Sequence, residues 1–331
     1  MTDDGDSRDE LGAIEATQLL LSVLSPHVFE DVRKLEQGET DLVHYTTAEN
    51  AINILQGREF WLRSVRTMND FMEVEHGIGL LLKAFGGPEN ENVERLCGIL
   101  DQLHEGAARH GINVFNEWLP RLPDITYIGC LSLAESSETR GRLSMWRGYS
   151  APSAGVCIVM NKTPFLAESN ELKAYSVPVA YMTDTEFLDG IRRCIDAVET
   201  SIEQLQDLSY EDIANTIFWW LLALSVSLKH PGFYEEREWR VIYFPEMEKS
   251  EVIEEAVASV RGIPQIVQKI PLKDDADAGL HGASPNSLIK KLIIGPTEFA
   301  STIRAALIRQ MKDAGVEGPE SKVFISDIPL R

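Results

Sequence analysis

Short apolar, β-branched runs recur along this chain from Leu42 to Ile325, with long helical patterns between them. Strands dispersed this widely satisfy their backbone groups only by pairing across large sequence distances. The pattern therefore predicts one sheet assembled from remote pieces. Runs at 42–45, 60–62, 125–133, 155–160, 239–244, 266–270, 288–294 and 323–325 supply its strands. The run 174–181 reads as an edge or bulged strand, because Pro178 has no N–H to donate. Helical patterns cover 11–24, 69–118 with a break at Gly86-Gly87-Pro88, 185–205, 210–229 and 297–312. The expected class is α+β, a small mixed sheet in a single domain over 11–331. Helical insertions are expected at about 69–118 and 185–229, after a disordered acidic N-terminus at 1–10.

A chain of 331 residues, 44% of them hydrophobic, is long enough to bury a core without disulfides or a structural metal. Its 52 acidic and 31 basic residues leave a net charge of −21, which argues against bulk nucleic-acid binding, since phosphate affinity comes from Lys and Arg. A local basic pocket for one nucleotide remains compatible with that charge. Cys97, Cys130, Cys157 and Cys194 are far apart and follow no metal or disulfide spacing, so free thiols in a reducing cytoplasm are expected. Residues 1–10 lack the basic-then-apolar pattern of a signal peptide. The most apolar stretch, 217–228, is too short to span a bilayer, which takes about 20 residues. It reads as a buried core helix, and no membrane partner is expected.

Four segments carry chemistry. In Val43-His44-Tyr45-Thr46-Thr47, strand alternation puts His44 and Thr46 on one face. The following Thr46-Thr47-Ala48-Glu49 reads as a capping box that opens a helix. A histidine beside a helix N-terminus either binds a ribose or phosphate, or is a hydrogen-bonded residue at a sheet end. Asn69-Asp70 before a helical run reads as a cap, and Asp70, Glu73, Glu75 and His76 as a candidate metal cluster against that plainer account. Met145-Trp146-Arg147-Gly148-Tyr149 places two aromatics and an arginine between two strands. Trp146 or Tyr149 could stack on a flat ring and Arg147 could grip a phosphate, or Trp146 is a core anchor and Arg147 a surface charge. Finally, alternation through Glu236-Arg237-Glu238-Trp239-Arg240 puts Glu236, Glu238 and Arg240 on one face, as an ordered ion pair or a positioned catalytic acid.

Taken in order, these segments resemble a bacterial family known as domain of unknown function 2971. The elements carrying the likeness are His44-Tyr45-Thr46, Ile54-Leu55, Asn69-Asp70, Cys130-Leu131-Ser132, Met145-Trp146-Arg147-Gly148-Tyr149, Gly155-Val156-Cys157-Ile158, Glu236-Arg237-Glu238-Trp239-Arg240 and Ile293-Ile294-Gly295-Pro296. They span about residues 40–300. The order His44, Tyr149, Glu238 is also similar to that of ADP-ribosyltransferases of the His-Tyr-Glu type, with Trp61 or Trp146 as alternatives for the aromatic and Glu236 for the acid. That second resemblance implies an ADP-ribosyltransferase-like sheet and NAD as substrate. It implies an NAD-dependent ADP-ribosyltransferase or NAD glycohydrolase, an effector in bacterial defence or toxin systems.

In that scheme Glu238, His44 and Tyr149 are catalytic, and Thr46, Trp146, Arg147, Glu236 and Arg240 bind the cofactor. Cleaving the nicotinamide–ribose bond develops oxocarbenium character that a carboxylate stabilises. No metal is expected, and the partners are a small-molecule nucleotide with a protein acceptor or regulator. The alternatives are a non-catalytic nucleotide-sensing or interaction module, and a metal-dependent nuclease built on Asp70, Glu73 and Glu238.

Overall fold

The computed structural model describes residues 6–68, 71–87, 90–150, 154–166 and 172–329, the side chains of 6–11 and 71–74 excepted. The chain divides into two compact units, each built from three separate stretches. One comprises Met1–Asp31, Asn69–Pro123 and Ala180–Phe233, the other Val32–Met68, Asp124–Val179 and Tyr234–Arg331.

The first unit is helical. Its helices are Asp6–Leu24, Phe71–Phe85, Glu91–Leu100, Ala107–Trp118, Asp184–Thr200 and Tyr210–Ser227. The last is apolar nearly all round, as a fully surrounded helix must be, and buries Ile213, Ile217, Trp220, Leu221 and Leu224. The Trp220 indole N–H donates to the Leu24 carbonyl at 3.1 Å, tying the N-terminal helix to it. Capping boxes at Thr183/Glu186 and Ser209/Asp212 start the two long helices by satisfying their free amides. The expected insertions 69–118 and 185–229 are parts of this unit. Of segment 1–10, expected to be disordered, Asp6–Glu10 belong to the first helix. No helix of the described residues is long and apolar enough to cross a membrane.

Twelve strands occur among the described residues. In chain order they are β1 Thr40–Thr47, β2 Glu59–Ser64, β3 Tyr127–Glu135, β4 Gly155–Met160, β5 Ala174–Pro178 and β6 Ala180–Tyr181. Then come β7 Leu228–Lys229, β8 Glu238–Tyr243, β9 Glu254–Val260, β10 Ile263–Pro271, β11 Ile289–Ile294 and β12 Val323–Ile325. The short β6 and β7 pair in parallel within the helical unit. The other ten make the mixed sheet of the second unit, so the α+β class holds.

That sheet runs β12-β11-β4-β1-β3-β2-β10-β9, with β8 against β3 and β5 against β8. Only β11–β12 is parallel within it. β3 organises the layer. One edge pairs with β8 over Tyr127–Ser132, while the other is divided between two neighbours. β1 takes its C-terminal end, from Val43↔Ser132 to Thr40↔Glu135, and β2 takes Ile128 and Tyr127. Between them lies a fork. Gly129 sits there because a Cβ would come 2.4 Å from Phe60 Cε1 and 2.8 Å from Leu62 Cδ2.

The sheet has two unlike faces. Leu42, Leu131, Leu133, Val156, Ile158, Trp239 and Leu292 point to a back face, buried beneath Ala51 and Leu55 of the helix Ala48–Gly57 and Leu307 and Met311 of the helix Ala300–Asp313. Val43, Tyr45, Ala134, Cys157, Val159 and Ile293 point to the front, where Met145 and Trp146 of the helix Leu143–Tyr149 cover them. β5 is an edge strand, as Pro178 required. The helix after β1 is capped one residue later than the sequence suggested: Thr47 accepts from Asn50 N–H, and Thr46 belongs to the strand.

Candidate functional site

His44 sits in the fork. It pairs with Ile158 across β4, which places it on the back face, and its ring meets Phe60 edge-on at 5.5 Å. Its Nδ1–H donates to the Cys130 carbonyl at 3.0 Å, filling the gap in the ladder between β1 and β2. Burial holds the His44 pKa below its ordinary value, against the opposing pull of that bond, so the ring is neutral near pH 7. Thr46 lies on the same face, opposite Val156, and is buried.

Glu238 and Arg240 point the other way. Val43 aligns with Ser132, and Ser132 with Glu238, so Glu238 shares the front face with Val43, one residue out of phase with His44. The expected convergence of His44, Tyr149 and Glu238 is therefore corrected: the sheet separates the imidazole from the acid. Glu238 and Arg240, 4% and 3% exposed, form a side-on pair, Nε to Oε1 at 2.8 Å and Nη2 to Oε2 at 3.1 Å. Glu236 is not on the strand. It ends the 3-10 turn Pro231–Glu236, and Arg237 follows in the left-handed region at φ 42°. That kink breaks the alternation the sequence suggested, leaving only Glu238 and Arg240 in phase.

Tyr149 meets one of the two candidate acids. Its hydroxyl lies 3.4 Å from Glu236 Oε2, and both residues are half-buried. Arg147, two residues back, is exposed and makes no hydrogen bond or ion pair among the described residues.

Trp146 is a core anchor and not a stacking platform for a ligand. It packs edge-on against Tyr45 at 4.9 Å, and its N–H donates to Arg140 O at 3.1 Å. A Cβ at Gly155 would stand 2.9 Å from its Cε3, one at Gly295 2.8 Å from the same atom, and one at Gly141 2.4 Å from Cζ2. Four of the sequence elements that carry the family resemblance, those of Tyr45, Trp146, Gly155 and Gly295, are thus parts of one packing arrangement. Trp61, the other aromatic considered, is exposed, donates to Glu59 at 3.0 Å and stacks under Lys269.

A small hollow opens on the front face between Asp41, Val43, Tyr45, Cys157, Lys291 and Ile293. Its volume of about 10 Å³ is room for about one water, not a dinucleotide. Its polar rim is internally satisfied, Asp41 by Lys290 at 2.6 Å and Lys291 by the Glu138 carbonyl at 2.6 Å. Burial pushes the Cys157 thiol up to about 12 and the Tyr45 hydroxyl up to about 12. Both are neutral and neither is a ready nucleophile. Asn69 and Asp70 and the Glu73 side chain lie outside the described residues. Among the described residues no group of three or more His, Cys, Asp or Glu is arranged to hold a metal.

Arg63 on β2 and Arg261 at the β9–β10 turn are, respectively, half-buried and exposed cations that no motif in the sequence marks. The signal available was modest: a lone arginine inside an apolar strand run, and an Arg-Gly pair able to make a tight hairpin turn.

Residues 145–241 match the sequence model of a family described as "Protein of unknown function (DUF2971)", under a third of the chain. The match takes in the Trp146 helix, β4 and the Glu236–Arg240 segment, and excludes His44. No curated protein and no solved structure matches the chain. The chain is thus similar to that family over residues 145–241, which hold Trp146, Gly155 and the buried acid–arginine pair, while Tyr45 and Gly295 lie outside the match.

Proposed function

We propose that the sheet unit is a nucleotide-binding module that holds its ligand without cleaving it. The observation that carries this reading is the Glu238–Arg240 pair. A buried carboxylate with both oxygens on a guanidinium is poorly placed to receive a ribose hydroxyl or to answer a developing positive charge. His44, facing the other way, spends its Nδ1 on the backbone. What supports a nucleotide as ligand is the surface around Tyr149. Arg147, exposed and without an ion pair among the described residues, would meet a phosphate, the phenol would offer an aromatic face, and the half-exposed Glu236 beside it would meet a sugar hydroxyl.

A second reading is an NAD-dependent ADP-ribosyltransferase or NAD glycohydrolase with an ADP-ribosyltransferase-like sheet, favoured by the Tyr149–Glu236 contact. Glu236, half-exposed, would then take the role first given to Glu238 and stabilise the oxocarbenium-like ribose. The test is to titrate the full chain with NAD and follow nicotinamide release, alone and with cell lysate. Saturable binding without release is the expected result. Release that vanishes in Glu236→Gln and survives in Glu238→Gln would establish the transferase instead. Absence of binding by NAD and by adenine nucleotides would overturn both.

A further inference from the structure

Arg63 occupies an unusual position in a chain with 21 more acidic than basic residues: it is half-buried and has no carboxylate partner among the described residues. It lies on β2 opposite Ile128 and Val267, hence on the front face of the sheet. Its Nε donates to Gln265 Oε1 at 3.1 Å and its Nη2 to the Thr67 carbonyl at 2.7 Å. Gln265, itself buried, is fixed in turn by the Thr67 hydroxyl at 2.7 Å. These neutral acceptors orient the guanidinium without neutralising it. Of five N–H donors, two are used and three remain.

Gln265, to which Arg63 reaches, lies on β10 just past a hairpin tip that carries a second cation. Arg261 and Gly262, both with positive φ, form the two-residue turn joining β9 to β10, and Arg261 is exposed without a hydrogen bond or ion pair among the described residues. Burial first, and then the positive charge of Arg261, hold the Arg63 guanidinium below its ordinary value, with the Cys130 thiol acting the other way. Elsewhere this chain matches arginines with acids, as at Arg95 with Asp196 and Glu199, Arg109 with Glu94, and Arg240 with Glu238. A half-buried charge with no counter-ion is costly, and two arginines brought together repel. An arrangement of this kind is stabilised when an oxyanion supplies the missing negative charge.

We infer that Arg63 and Arg261, with the Thr67–Gln265 pair holding Arg63 in place, form a binding site for a phosphate-class oxyanion on the β2–β10 side of the sheet. Arg63 presents a fixed fork that matches two oxygens of a phosphate or pyrophosphate, and Arg261, exposed at the hairpin tip, supplies a second charge. The plainer account is that Arg63 merely ties the turn Val65–Thr67 to β10. That account gives Arg261 no part and predicts no ligand. The inference goes beyond the reading around Tyr149 and stands independently of it.

The test is calorimetric titration of the full chain with inorganic pyrophosphate at fixed ionic strength, with NAD titrated in parallel. Saturable pyrophosphate binding is expected. It should weaken about tenfold or more in Arg63→Gln and severalfold in Arg261→Ala, and be unchanged in Arg309→Ala, whose arginine pairs with Asp313 on its own helix. Arg63→Lys keeps the charge while losing the fork, and Arg261→Ala touches no packed group, so the site remains testable if Arg63→Gln fails to fold. Pyrophosphate binding that both arginines control supports the site whether or not NAD binds, and if NAD and adenine nucleotides fail to bind in the same series only the nucleotide reading falls. Lack of saturation by pyrophosphate, or equal affinity in the parent and both variants, overturns the inference.

Discussion

Gly295→Ala is a direct test of the packing around Trp146. The new methyl would stand 2.8 Å from Trp146 Cε3 and 2.9 Å from Cδ2, against an optimum for carbon pairs of about 3.5–4.0 Å. Something must therefore move by roughly 0.7 Å or more. The indole has little room to retreat, because its N–H is bonded to Arg140 O, Tyr45 packs on it, and its far edge abuts Gly141. Overpacking of this kind costs about 1–3 kcal/mol. Replacing Trp146 by Phe removes the atoms that clash, so the same alanine should cost about 1 kcal/mol less in a Trp146→Phe background. Urea unfolding of the parent, both single variants and the double variant, followed by far-UV circular dichroism, measures the four stabilities. A Gly295→Ala protein within about 0.5 kcal/mol of the parent would refute the argument. So would an equal cost in both backgrounds.

Three further outcomes follow from the geometry. Arg240→Leu removes both guanidinium hydrogen bonds from the buried Glu238 carboxylate and should cost about 3–5 kcal/mol, read from the same urea curves. Burial holds His44 below its ordinary pKa, so as pH falls through about 6.5 the unfolded chain takes up the proton before the folded one does. The stability the neutral ring contributes is complete above that pH and lost below it. A comparison of urea midpoints at about pH 7.5 and pH 5.5 should show a smaller drop in His44→Asn than in the parent, with His27, also held low by burial, accounting for part of the remainder. Among the thiols, half-buried Cys130 should react first with an alkylating agent and Cys157, pushed up to about 12, should lag well behind, as peptide mass spectrometry would show. Equal labelling of the two would contradict the burial assigned to Cys157.

Much of the sheet was legible because β4 is a continuous apolar run, β11 ends in Leu292-Ile293-Ile294, and the Thr46-Thr47 pair marks the start of the helix after β1 to within a residue. β9 was not. Its Glu254-Glu255-Ala256-Val257-Ala258-Ser259-Val260 mixes charge and alanine, and only pairing with β10 makes it a strand. The site was harder, since the face a strand residue occupies depends on register, and a slip of one residue exchanges the faces. Alternation within β1 or within β8 was readable. The relation between them, which separates His44 from Glu238, depends on the alignment of both with β3. Glu236 misled because nothing local marks Arg237 as left-handed. Trp146 looked like a ligand platform in isolation, whereas Tyr45 and Gly295, far away in sequence, carry the information that it is packed.

The threefold interleaving of the chain between its units sets an order of events during synthesis. The helix Asp6–Leu24 emerges first, yet the helix Tyr210–Ser227 that accepts it comes almost two hundred residues later. β1 likewise waits for β4, more than a hundred residues downstream, before that edge is paired. The helical unit has all its pieces only once Ala180–Phe233 is made and the sheet unit only once Tyr234–Arg331 follows, and no single cut at a boundary separates the two. For as long as the last segment is unmade, the apolar back of the sheet lacks the cover of Leu307 and Met311, and the nascent polypeptide is exposed to aggregation or to a chaperone that shields it.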